Sequence, residues 1–108
     1  MFKYQLRFWF EHSGICIWGM NDAAKEKYGY AIENSSLPIS NGLINELNIL
    51  EGEYATYLDW DCPSNPSPWT EQQKIDFKNR AANVLNKLET ELGSDFIIQD
   101  EIKGSFYE

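Results

Sequence analysis

Between Tyr28 and Gln73 the chain has neither lysine nor arginine. Glu33, Glu46, Glu51, Glu53, Asp59, Asp61 and Glu71 fall in that span, so the middle of the chain holds nearly all of the formal net charge of -8. A shortage of bases excludes direct binding of nucleic acid or an anionic membrane, since both demand a positive face. A field of one sign suits two things instead: steering a cationic partner, or keeping a solvated surface soluble. Cysteine is also scarce. Cys16 and Cys62 form neither a CxxC pair nor a His/Cys cluster, which removes the common zinc and thioredoxin-like patterns. So few thiols fit a reducing cytoplasm better than a disulfide-stapled secreted domain. His12 is the single histidine and falls in turn-forming sequence, where an exposed side chain is the plain reading and a catalytic base would need partners brought from elsewhere. The N-terminus interleaves Lys3 and Arg7 with apolar residues, a pattern unsuited to a signal peptide or a transmembrane span. No internal repeat is present. These absences point to binding rather than catalysis, with no cofactor and no metal expected.

What the chain does have is apolar material. Hydrophobic residues make up 43% and aromatics 15% of 108 residues, enough for one core, and a single domain spanning 1–108 is expected. Phe2, Tyr4, Leu6, Phe8 and Phe10 recur with a period of two against Lys3, Gln5, Arg7, Trp9 and Glu11, which predicts a strand with one apolar face. Residues 11–14 have turn chemistry and Ile15–Trp18 resumes an extended run, so the first 19 residues read as a hairpin. Trp9, on the outer face, either packs across it or lies exposed.

Asn21 or Asp22 caps a short helix over residues 23–28, which Gly29 ends. Residues 30–39 have no sustained period and read as a connector. Ser40 or Asn41 starts a second helix whose stripe is Leu43, Leu47, Leu50, Tyr54, Tyr57 and Leu58, with Glu46 and Glu53 one heptad apart at its rim. Thr70 and Gln73 fit a capping box for a third helix, with the stripe Phe77, Ala81, Val84, Leu85, Leu88 and Leu92 and a stop at Gly93. Residues 95–102 predict a last strand, and 104–108 either its end or a further short strand. The sum is an α+β fold: a small antiparallel or mixed sheet, made of the N-terminal hairpin and the C-terminal strand, covered on one face by two long helices and one short one.

The least generic stretch lies between the two long helices, Leu58-Asp59-Trp60-Asp61-Cys62 followed by Pro63, Pro66 and Pro68 and then Trp69. Prolines so closely spaced bar helix and central strand, because each removes a backbone donor and pushes its predecessor toward extended geometry. Interface energy concentrates in aromatics beside well-placed charges, so Glu46, Glu53, Tyr57, Asp59, Trp60 and Asp61 are the expected partner-binding residues. Trp69, just before the cap, reads instead as a structural staple. Asp59-x-Asp61 alone offers two carboxylates to a divalent metal, as some sugar-nucleotide enzymes do, but no further ligands at suitable spacing and no phosphate-binding loop accompany it. A small metal-dependent enzyme is thus the weakest of three readings. Ahead of it stand a surface that binds a cationic protein partner and a general protein-interaction or regulatory module.

Tyr54-x-x-Tyr57-Leu58-Asp59-Trp60-Asp61, the Pro-Ser-x-Pro-Ser-Pro-Trp-Thr-Glu segment from Pro63 to Glu71, and a long Lys/Glu-rich helix ending at Leu92-Gly93-x-Asp95-Phe96 together resemble a family of small acidic bacterial proteins. These are similar to the immunity partners of polymorphic toxins, including those of contact-dependent growth inhibition systems. The likeness runs from Phe8 to Phe96. It implies a cytoplasmic protein that binds a cognate toxin domain, often a nuclease, and covers its active site or substrate surface; the acidic segment from Glu46 to Asp61 would complement a basic domain of that kind. Immunity families differ in where they bind, so the resemblance transfers no site residue.

Overall fold

The computed structural model describes residues 3–11, 14–57 and 67–102. Four strands and three helices follow one another as β1 (Tyr4–Phe8), β2 (Ile17–Gly19), α1 (Asp22–Tyr28), β3 (Ala31–Ile32), α2 (Asn41–Tyr54), α3 (Glu71–Leu92) and β4 (Phe96–Asp100), with a 3-10 turn at Asn34–Ser36. The sheet order is β3-β2-β1-β4. β1 pairs antiparallel with β2, Arg7 opposite Trp18, and parallel with β4, Leu6 opposite Ile98. The sheet is therefore mixed and the fold is α+β, as the periodicities predict.

Alternation along β1 sends Tyr4, Leu6 and Phe8 into the core and leaves Gln5 and Arg7 half-buried on the other face. The inward set joins the stripes of α2 (Leu43, Leu47, Leu50, Tyr54) and α3 (Phe77, Ala81, Val84, Leu85, Leu88, Leu92) in one continuous cluster. Each large apolar side chain so buried contributes about 1.5–3 kcal/mol. On the opposite face Trp9 packs across the hairpin on Trp18, 6.0 Å between ring centroids, and the Arg7 guanidinium lies 4.1 Å above the Trp9 ring. That outcome decides between the two placements open to Trp9.

Local capping follows the sequence closely. Asn21 accepts from the Ala24 backbone N–H at the start of α1 and from Gln5 N–H, while its Nδ2 donates to the Lys3 carbonyl, so the cap also ties the helix to β1. Both halves of the Thr70/Gln73 capping box form. Ser40 caps α2 by accepting from Leu43 N–H, and its own N–H and hydroxyl donate to Glu91 of α3 at 2.6 and 2.9 Å. A carboxylate held there also complements the positive end of the helix. Gly93 ends α3 with φ of 79°, a conformation that a Cβ disfavours. Gly19 has a different reason: a Cβ there would meet the Gly29 carbonyl oxygen at 2.7 Å, so β2 and the end of α1 approach too closely for a side chain.

Two expectations need correction. The segment 30–39 is not a plain connector, because Ala31–Ile32 adds an edge strand to β2 and Asn34–Ser36 makes the 3-10 turn; two residues are too few to display a period. α2 ends at Tyr54, so Tyr57 lies beyond the helix that the stripe predicts it to share. Tyr57 still enters the core, 3% exposed, from a turn closed by its N–H donating to the Tyr54 carbonyl. His12, Ser13, Leu58 and the segment 104–108 lie outside the described residues.

Candidate functional site

α2 and α3 lie side by side, joined by two ion pairs that cross between them. Lys87 Nζ donates to Glu46 Oε1 at 2.9 Å, and Arg80 donates to Glu53 Oε2 at 2.6 Å. Moving seven residues forward on α2 moves seven back on α3, which is the signature of antiparallel neighbours, and a seven-residue step returns to the same face of each helix. Between the pairs the helices form a groove of about 280 Å³, walled by Glu46, Ile49 and Leu50 on one side and Arg80, Val84 and Lys87 on the other. Ile49 is 60% exposed at its lip. A second hollow of about 280 Å³ continues past Arg80 to Glu53, Thr56 and Trp69.

This arrangement revises the picture of an unopposed acidic middle. Distance along the chain separates Glu46 and Glu53 from every base, but folding brings α3 alongside and gives each a cation. All four side chains remain about half exposed, so the pairs are held in high dielectric, contribute about 0–1 kcal/mol each, and exchange readily for another partner. Arg80, Lys87 and Ile49 are the members of this face that sequence reading missed. The heptad spacing shared by Glu46/Glu53 and Arg80/Lys87 is the signal that could have revealed the first two. Ile49 sits off the apolar stripe and gave no sign beyond that.

Tyr57 is not on the surface. Its ring stacks on Tyr54 at 5.6 Å with 10° between planes and meets Trp69 edge-on at 5.5 Å. Trp69 in turn packs on Phe77, 5.2 Å between centroids, and its Nε1 donates to Thr56 Oγ1 at 2.7 Å. Its structural role is thus as the sequence suggested, with Phe77 of α3 among the residues it packs on. Ser67 Oγ donates to the Tyr57 carbonyl and accepts from Trp69 N–H. The end of α2 and the start of α3 are fastened together by these contacts on either side of the proline-rich stretch. Asp59, Trp60, Asp61 and Cys62 lie outside the described residues.

Cys16 is buried, and burial together with the nearby Glu51 carboxylate pushes its thiol well above the usual range. A thiol so placed is a poor nucleophile. Among the described residues no group of three or more His, Cys, Asp and Glu side chains could hold a metal ion, and no helix is long and apolar enough to cross a membrane. A family model described as Serratia CdiI immunity protein-like matches residues 4–99, nearly the whole chain. No match is found among curated proteins.

Proposed function

Because the chain belongs to the Serratia CdiI immunity protein-like family, we propose that it binds a cognate toxin domain of cationic surface and neutralises it by covering its active site, with no catalysis of its own. A nuclease fits that toxin, since such a domain must attract phosphate, and the cytoplasm fits the encounter. The reading assigns contact to Glu46 and Glu53, with Asp59, Trp60 and Asp61 next along the chain, and gives Tyr57 the part of a buried support beneath Trp69. The observation that carries it is the groove between α2 and α3: an exposed Ile49 flanked by half-exposed carboxylates in exchangeable ion pairs. An apolar centre within a charged rim is the usual anatomy of a protein interface.

The test is a set of charge reversals, Glu46→Lys, Glu53→Lys, Asp59→Lys and Asp61→Lys, titrated against the toxin domain that co-purifies with the protein. Each rim reversal is expected to slow association and weaken binding about tenfold or more at low salt, with the loss shrinking as ionic strength rises. Affinity equal to wild type in all four would overturn the site.

A further inference from the structure

The two carboxylates of the cross-helix pairs, Glu46 and Glu53, both stand on α2, and the two cations, Lys87 and Arg80, both stand on α3. The acid and base of each pair lie level along the helix axes, and the two levels are one heptad, about 10 Å, apart. A twofold axis parallel to the helices and lying over the groove keeps every level and exchanges sides. It sets α2 of a second copy above α3 of the first, and α3 above α2. Glu46 of each copy then comes level with Lys87 of the other, and Glu53 with Arg80. All four helices acquire antiparallel neighbours, as in an up-and-down four-helix bundle, and each acid faces a base across a self-complementary interface.

The apolar part of the face obeys the same symmetry. Ile49, three residues after Glu46 and four before Glu53, is 60% exposed. Level with it on α3 are Asn83 and Val84, which line the groove. Under the twofold the two Ile49 side chains meet over a floor of Leu50 and Val84, so each copy supplies the apolar knob that the other's groove takes. Gly42, seven residues before Ile49 on the same ridge, meets nothing within 4 Å if given a Cβ. No contact within one copy calls for a glycine there, whereas a facing helix gains a closer approach. The four charges flanking the groove sum to zero, so this face escapes the repulsion that a net charge of -8 imposes on the molecule as a whole.

We propose that the free protein forms a twofold dimer through this face, the occupant of the α2–α3 groove being a second copy of the chain. Area sets its strength. The 14 residues of α2 span about 21 Å, and two helices about 10 Å apart present a strip of roughly 400 Å² per copy. A standard interface buries about 800 Å² per partner, so this dimer is weak and exchanges readily. It depends only on the α2–α3 face and stands apart from the toxin reading. Where both hold, the two occupants compete for one surface, and toxin binding splits the dimer.

Sedimentation equilibrium with exchanged charges decides it. Toxin-free wild type should pass from monomer to dimer as its concentration rises toward about 1 mM. The double variant Glu46→Lys/Glu53→Lys makes all four charges positive, and Arg80→Glu/Lys87→Glu makes all four negative. Each alone should remain monomeric over the same range, because like charges now face one another. An equimolar mixture of the two should restore the dimer, which no merely damaged pair of proteins could do. Ile49→Asp leaves the four charges in place and replaces an exposed side chain, so the fold tolerates it; it should weaken the dimer about tenfold or more. Wild type that stays monomeric throughout overturns the proposal. So does wild-type association in either double variant alone or in Ile49→Asp, and so does a mixture that stays monomeric while both variants keep the helical circular dichroism of wild type.

Discussion

Burial disfavours the charged carboxylate of Glu51, so its folded-state pKa is raised above the ordinary glutamate value of about 4.3. Above the raised value the folded protein bears an ionised group it accommodates poorly, and as pH falls through that value protonation favours the folded state. Below the ordinary value both states are protonated and the difference vanishes. Glu51→Gln is accordingly expected to be more stable than wild type at pH 7 and no more stable near pH 4, read from urea denaturation midpoints. An equal gain at both pH values would refute the assignment. Nothing in the sequence distinguished Glu51 from Glu46 or Glu53. All three stand on one acidic helix, and only the 3-10 turn on one flank and α3 on the other give them different surroundings.

At the scale of elements, α3 is the best-specified piece. Its buried residues are the six that the period of 3.6 selects, and its start is fixed by reciprocal bonds between Thr70 and Gln73 at 3.1 and 2.7 Å. Thr70→Ala leaves the Gln73 N–H without its side-chain acceptor and is expected to cost about 1 kcal/mol. For a domain of this size that lowers Tm by roughly 4–8 °C, with Thr70→Ser close to wild type; thermal unfolding by circular dichroism checks both. β1 was equally legible, because a strand with one face in the core writes its alternation into five residues. β3 was not legible. A two-residue edge strand is held by its pairing to β2, a non-local cause that leaves no local pattern.

For the whole molecule, a net charge of -8 on a chain of 108 residues means that self-repulsion opposes folding, while the cross-helix ion pairs add little. Screening should therefore raise Tm as sodium chloride increases from low to moderate concentration, even as it weakens association with a cationic toxin. A Tm that falls with salt would show that the ion pairs outweigh the repulsion. By itself the sequence determined what depends on near neighbours: the strand and helix periods, the capping box at Thr70, the first two helix starts to within one residue, the stop at Gly93, and the α+β class. It also determined the resemblance to immunity proteins, which the family match over residues 4–99 bears out. Only the tertiary structure decided that β4 lies parallel beside β1, that Tyr57 is a core residue, and that Glu46 and Glu53 meet Lys87 and Arg80. The physical reason is common to all three. Charge pairing, burial and strand partnership are set by distance in space, and α3 folding back along α2 brings together groups that 27 and 41 residues of chain keep apart in the sequence.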